Sequence, residues 1–460
     1  MAFQSLRISR FVISVRSPIR QCHHRARALV SQMFQPTGAL PKGAKQSEIV
    51  CKSHKLMLEH GLIRQSSPGI YHLLPLALRA LEKLIRVIDE EMQTIGGQKL
   101  NMPCLTTAEL WKETDRWTTT GSELFKLKDR HDVEYCLGPT HEEAVTHLVA
   151  SQGHISQRQL PIKLYQITRK FRDEIRPRFG LLRGREFYMK DMYTFDIDEE
   201  RAMETYHSVC EAYTRFLQRL GLNFVKVVAD TGVIGGSMSH EFHLPADTGE
   251  DVLMFCLKCG HGANKETIDS EDAHCPNCGP STKLESRQGI EVGHAFYLGT
   301  KYSKVFNVDY LDKNNKSRLT QMGCYGLGVT RILAAAIEVL STDDEVRWPK
   351  LIAPYQIIII PPKKGSKEER GQQIAEELYD SIVGKIPSLK NEILLDDRDH
   401  MTIGRRMKDA KTLGYPFVVV VGKKALQSDR LFEMCSVNTG VTSFESQDAL
   451  LEIFSGIQTV

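Results

Sequence analysis

YQITRKFRDEIRPRFGLLRGREFYMKDMYTF, residues 165–195, decides how the rest of the chain is read. Seven basic residues run from Arg169 to Arg185 against two acids, Asp173 and Glu174. Aromatic and aliphatic side chains stand among the charges, which a merely solvated basic face would not need. Tyr165, Ile167 and Phe171 alternate ahead of the charged run, and Phe187, Met189 and Tyr193 alternate after it, the period of half-buried strands. Between them RPRFGLLRG carries Pro177, Gly180 and Gly184 and reads as loop. The stretch predicts two strands joined by a long basic loop. Such a hairpin offers guanidinium forks to an anion, and an Arg fork holds two phosphate oxygens at once.

The spacing says more than the composition. Phe171-Arg172-x-Glu174, a loop, then Arg183-x-x-x-Phe187-x-x-x-Asp191 resembles motif 2 of the class II aminoacyl-tRNA synthetases. The resemblance implies that Arg172 holds the ATP α-phosphate and Arg183 the γ-phosphate. It also implies that Glu174 faces the adenine amino group while Phe187 stacks on adenine. Taken alone, the hairpin also suits a basic RNA-binding surface with no chemistry.

Working outward, QMGCYGLGVTRILAAAIE at 321–338 packs Gly323, Gly326 and Gly328 ahead of a helix with Arg331 in its first turn. Glycines let backbone approach a ligand, and a helix N-terminus favours anions. The string resembles class II motif 3, whose Arg binds the γ-phosphate, with Cys324 where the family sets a small residue against the amino acid. Upstream, Gly138-Pro139 delivers Thr140, His141, Glu142 and Glu143 to the start of a helix, where acids are favoured by the helix dipole. GPTHEE is similar to the TxE loop of the prolyl-tRNA synthetases. That likeness implies that Glu142 binds the secondary ammonium of proline, beside Thr140. GGSMSHEFH at 235–243 and RQGIEVGHAFYLGTKYS at 287–303 resemble further strings of that family, bacterial type, and imply that His294 lines the proline pocket. Residues 61–103 read as a Pro-Gly turn, a long helix with Leu74, Ala77, Leu81, Leu84, Ile88, Met92 and Ile95 on one face, and a short extended piece into Pro103. This resembles motif 1, which builds a homodimer interface. Asp196 is a candidate cap for a helix carrying Met203 to Leu220 at helical spacing.

Cys256-x-x-Cys259 and Cys275-x-x-Cys278 stand fifteen residues apart, within the window of zinc ribbons. Four leftover thiols are the alternative. The whole chain carries eleven cysteines, an odd number, which argues against a disulfide framework and for a reducing compartment. Residues 1–47 hold no Asp or Glu, and six arginines from Arg7 to Arg27 are spread among apolar residues and serines. That is the make-up of a mitochondrial transit peptide, with a disordered RNA-binding arm as the alternative. The transit peptide is assigned to 1–32, cleavage falling near 25–35. No apolar run is long enough to span a membrane, and the net charge of +3 leaves nucleic-acid binding to local patches.

Trp348 to Pro354 reads as a linker. Beyond it IIII at 357–360, a helix near 367–384, EILLDD at 392–397, a helix near 402–413 and FVVVVG at 417–422 alternate strand and helix. The tail resembles the class IIa anticodon-binding domain, with Arg398, Arg405, Arg406, Lys408 and Lys411 as a basic edge for RNA phosphates. The expected class is α+β: a catalytic domain at 33–350, an antiparallel sheet with flanking helices and a short Cys-rich insertion at 251–288, then a small α/β anticodon-binding domain at 351–460. The resemblance implies ATP-dependent activation of L-proline and its transfer to tRNA(Pro), with Mg2+ as cofactor; the cysteine spacing, separately, points to a structural Zn2+. It further implies a homodimer in the mitochondrial matrix, with no membrane partner. A non-catalytic relative of the same fold is disfavoured by the intact arginines, and a sister enzyme for threonine or glycine by GPTHEE and EVGHAF. Only 33 residues separate GEDVLMF from GIEVGHAF, too few for the editing domain that bacterial-type relatives carry between motifs 2 and 3.

Overall fold

The computed structural model describes residues 27–36, 50–268 and 274–460. Most of the transit-peptide assignment, residues 1–26, lies outside them. The elements that build the site are α1 (Pro75–Thr94), α2 (Glu142–Ala150), β1 (Ile162–Phe171), β2 (Glu186–Asp196), α3 (Glu199–Arg219), β3 (Met238–Pro245), β4 (Glu285–Gly299), β5 (Gln321–Gly328) and α4 (Val329–Leu340). Neighbouring strands in the order β3-β4-β5-β2-β1 are antiparallel, and the short strand Gln98–Lys99 runs parallel to β1 at the edge.

Alternation along these strands sorts side chains onto two faces. Tyr325, Leu327, Met192 and Ala295 turn toward α1, α3 and α4 and share one core with Leu81, Leu84, Tyr213 and Ile332. Each aliphatic side chain so buried contributes about 1.5–3 kcal/mol. Residues of the opposite parity, Cys324, Phe296 and Tyr193, join a second cluster on the other face, where Cys324 and Phe296 line the cavity described below. Helix α1 starts with proline at its first turn, where the missing N–H costs nothing, and Ala77, Leu81, Leu84, Ile88 and Met92 are all buried as the periodicity requires.

Three local readings are corrected. The cap of α3 is Asp198, whose side chain accepts from the Arg201 N–H at 2.9 Å. Asp196 instead ends β2 and is buried, accepting from Thr205; two aspartates two positions apart left the choice open to sequence. The 348–354 joint is packed, not free: Trp348 and Ile352 are buried and the Trp348 indole donates to the Leu413 carbonyl at 2.8 Å. In the basic edge of the C-terminal domain, Arg406 is buried and donates to the carbonyls of Asp396 and Pro361, and Arg398 is tied to Asp396 and Asp409. Those two arginines hold the fold together.

The C-terminal domain is a five-stranded sheet. The strands at 357–360, 393–395 and 417–420 are parallel, and two further strands, Phe432–Ser436 and Thr442–Glu445, add antiparallel at one edge. Its other edge is covered by residues 27–31. Leu29 bridges Leu395, Arg27 pairs with Glu376 and Asp380, and Ser31 binds Asp397. A few residues on, the Pro36 carbonyl accepts from Arg64 at 2.6 Å, so this segment straps the C-terminal domain to the catalytic one. Residues 27–32, placed by composition in the transit peptide, are therefore part of the folded body. The two domains also meet through buried Lys83 on α1, which binds Glu392 and the Ala353 carbonyl.

Candidate active site

The β1–β2 hairpin pairs residue for residue from Ile162 with Phe195 to Phe171 with Glu186, and the basic loop between them rises over the sheet. Pairing across β4, β5 and β2 sets His294, Gly326 and Asp191 in one row, with Phe296, Cys324 and Tyr193 in the row on the same face. A Cβ at Gly326 would meet nothing nearer than Met189 Sδ at 3.8 Å, so the absence of a side chain there is open space in the middle of the sheet. The result is a cavity of about 420 Å3, walled by the hairpin loop, the end of β5 with the first turn of α4, and the strand-to-helix turn before α2.

One end of the cavity is acidic and closed. Glu142, at the first position of α2, is buried. Thr140 Oγ1 lies 2.7 Å from both its oxygens, and the Cys324 thiol donates to Oε1 at 3.1 Å. Arg116 reaches Oε2 at 2.9 Å from behind. Burial would raise this carboxyl, but Arg116, Thr140 and Cys324 together hold it below the usual carboxylate range. The same burial, with the charge of Glu142 beside it, pushes the Cys324 thiol well up, so it stays a protonated donor and is no nucleophile.

The other end is basic. Arg172 stands over the Phe187 ring at 5.5 Å, and among the described residues it makes no ion pair. Its acidity is increased by burial first and by the charge of Arg331 second, so the two guanidiniums feel one another. Arg331 donates to Glu291 at 2.9 Å and to the Leu182 carbonyl. Arg183 pairs with Glu174 at 2.9 Å and with Glu250. Between the ends, His294 stacks on Phe296 at 3.8 Å and lies 3.4 Å from Glu291 and 3.5 Å from Glu241. Burial alone would raise Glu291, yet His294 and Arg331 hold it well below the ordinary range.

The nine residues expected to bind ATP or proline thus line one cavity, although they come from positions 140 to 331 of the chain. The four cysteines do not; they form a separate knuckle beside β4 with all four sulfurs within 4.8 Å of one another. Sequence reasoning missed Arg116, Glu250 and Glu291. Arg116 lies 26 residues before its partner and no spacing rule links them. Glu291 was inside a quoted string, GIEVGHAF, but a register shift between Glu291 and Gly293 is what turns it to the side of His294, 3.4 Å away, and no alternation in the sequence marks it.

Residues 125–340 match the tRNA synthetase class II core domain (G, H, P, S and T), and residues 356–449 match an anticodon binding domain. The chain is 57% identical over 471 positions to a probable mitochondrial proline--tRNA ligase of Rattus norvegicus, covering 100% of this chain and 97% of the relative. A Homo sapiens protein of the same name is 58% identical, covering 94% of this chain and 92% of its own. A proline--tRNA ligase of Syntrophus aciditrophicus is 37% identical, with 91% and 96% covered. The chain belongs to the class II tRNA synthetases and, among them, to the proline--tRNA ligase family.

Proposed function

We propose that the chain is a mitochondrial proline--tRNA ligase. The proline carboxylate attacks the α-phosphate of ATP, releasing pyrophosphate and leaving prolyl-adenylate. A terminal ribose hydroxyl of tRNA(Pro) then attacks the activated carbonyl, and AMP leaves. The observation that carries this reading is one cavity with the buried carboxylate of Glu142 at one end and, at the other, Arg172, which makes no ion pair among the described residues. Glu142 receives the secondary ammonium, with Thr140, His294 and Cys324 around the ring. Arg172 lies against the reacting phosphate and carboxylate, Arg331 and Arg183 against the outer phosphates, with Glu174 and Phe187 about the adenine. Neither step needs a protein nucleophile, so catalysis is positioning plus neutralisation of phosphate charge. Arg183 and Arg331 must exchange Glu250 and Glu291 for phosphate as ATP enters.

Mg2+ fits the site, since Glu241 and Glu291 offer hard oxygen donors within 4.8 Å of each other and of His294. Bound there with phosphate oxygens, it would supply further charge neutralisation. Zn2+ fits the knuckle: Cys256 and Cys278 sulfurs are 3.9 Å apart, Cys259 and Cys275 3.4 Å, near the roughly 3.8 Å that tetrahedral zinc–thiolate bonds give. A homodimer and a leader ahead of Arg27 complete the reading. The leader rests on the acid-free, Arg-rich composition of the N-terminal residues and on the relatives' mitochondrial names.

The bacterial alignment runs over 572 positions while covering 91% of this 460-residue chain, so well over a hundred of its positions have no counterpart here. This supports the reading that the editing domain is missing and that alanine is rejected in the synthetic site alone. The direct test is charging: purified chain, ATP and tRNA(Pro) should yield prolyl-tRNA, and the same chain should leave alanyl-tRNA(Pro) intact. No charging with proline would refute the function, and rapid deacylation would refute the missing editing site.

A further inference from the structure

We infer that Glu143 is a specificity-determining positioning residue: it absorbs the charge of Arg116, so that Glu142 presents a net negative charge to a cationic amine. The inference rests on the reading of Glu142 as the partner of that amine.

Glu142 lines the cavity; Arg116 and Glu143 stand behind it and do not. Arg116 is buried between the rings of Trp111 and Tyr302, 4.8 and 5.8 Å from their centres. A single nitrogen, Nη1, lies 2.9 Å from Glu142 Oε2 and 2.9 Å from Glu143 Oε1. Were Arg116 and Glu142 alone, they would form a neutral pair. A cation brought against a buried neutral pair remains an uncompensated charge, which is strongly unfavourable away from water. The second carboxylate changes that sum. One guanidinium and two carboxylates leave the hydrogen-bonded cluster with one negative charge, and a substrate ammonium brings it to neutrality.

The geometry around Glu143 suits a carboxylate. Arg116 Nη1 reaches both its oxygens, at 2.9 and 3.2 Å, and Thr114 Oγ1 lies 2.9 Å from one of them. Burial pushes its carboxyl upward, Arg116 pulls part of that back and Glu142 adds to the rise, so the net shift is upward, and the charge on Glu143 depends on the Arg116 contact. Its place at the second position of α2 adds the favourable end of the helix dipole.

The test uses the full chain and two ligands of one shape: proline, and tetrahydrofuran-2-carboxylate, whose ring oxygen replaces the charged nitrogen. Glu143→Gln should raise the KM for proline by about tenfold or more, the scale of losing one buried charge contact. The KM for ATP should hold within about twofold, and inhibition by the oxygen analogue should be unchanged or stronger. Glu143→Asp, which keeps the charge, should retain most of the affinity for proline. Should Glu143→Gln fail to fold, the double variant Arg116→Met/Glu143→Gln keeps one negative charge and should bind proline well above the level of Glu142→Gln. Equal losses for proline and the analogue would make Glu143 a mere shape-holder and overturn the inference. If Glu142→Gln weakens proline binding and Glu143→Gln does not, the inference alone falls. If Glu142→Gln has no effect, the reading of the amine site falls with it.

Discussion

Arg172→Ala should abolish most adenylate formation while leaving the fold almost untouched. Among the described residues the side chain pairs with no carboxylate, so its removal orphans no buried partner. What is lost structurally is the contact with the Phe187 ring at 5.5 Å, about 0.5–1 kcal/mol at a partly exposed site. Relief from Arg331, whose charge disfavours the charged form of Arg172, offsets part of that. The melting temperature should therefore move by no more than about 3 °C. The chemical loss is larger. A donor aimed at developing phosphate charge in a site shielded from water is worth about 3–4 kcal/mol, or roughly 10²–10³ in rate. Arg172→Lys should recover little, because a point charge cannot bridge two oxygens. Pyrophosphate exchange measured beside a thermal melt gives both numbers. Exchange within a few-fold of wild type, in a folded protein, would refute the placement of Arg172 on phosphate.

Three other outcomes follow from the structure. Burial raises the Asp196 carboxyl to about 6, above its ordinary 3.8. The folded state then holds an extra proton between those values, so the stability tied to it is present at low pH and lost as pH rises through 6. Asp196→Asn should stabilise the protein by about 1–2 kcal/mol at pH 7.5, with the gain shrinking toward pH 4 in matched melts. Cys259→Ser should lower bound zinc from one equivalent to a small fraction by elemental analysis and lower the melting temperature, whereas Cys104→Ser should do neither. Removal of residues 27–36 should speed hydrogen exchange in the 393–395 strand that they cover. Arg27→Ala alone should cost about 1 kcal/mol or less, since its ion pairs are solvent-exposed.

Much of the site was legible because the residues that carry it also carry local patterns. The hairpin at 165–195 shows strand alternation on both sides of a Gly-Pro loop, and the β5–α4 junction shows glycines stepping into a helix. Those patterns are short-range, and register then brings distant ones together. What could not be read is long-range by nature. Arg116 finds Glu142 only when the segment ahead of α2 folds back beneath it. Arg183 finds Glu250, and Arg331 finds Glu291, only in the assembled cavity. The same holds for Arg406: five basic residues on one stretch look like a surface patch until the helix turns one of them inward to two carbonyls. The strap at 27–31 was hidden for another reason, since its composition belongs to the leader while its backbone belongs to the sheet edge.

The central claim is that one cavity holds proline at its acidic end and ATP at its basic end. Amino-acid-dependent ATP–pyrophosphate exchange by the purified chain, run without tRNA across the twenty amino acids, tests it most directly. Proline should support rapid exchange and alanine, threonine and glycine should support little, with Glu142→Gln selectively raising the KM for proline. Exchange driven better by another amino acid, or none with proline, would contradict the account.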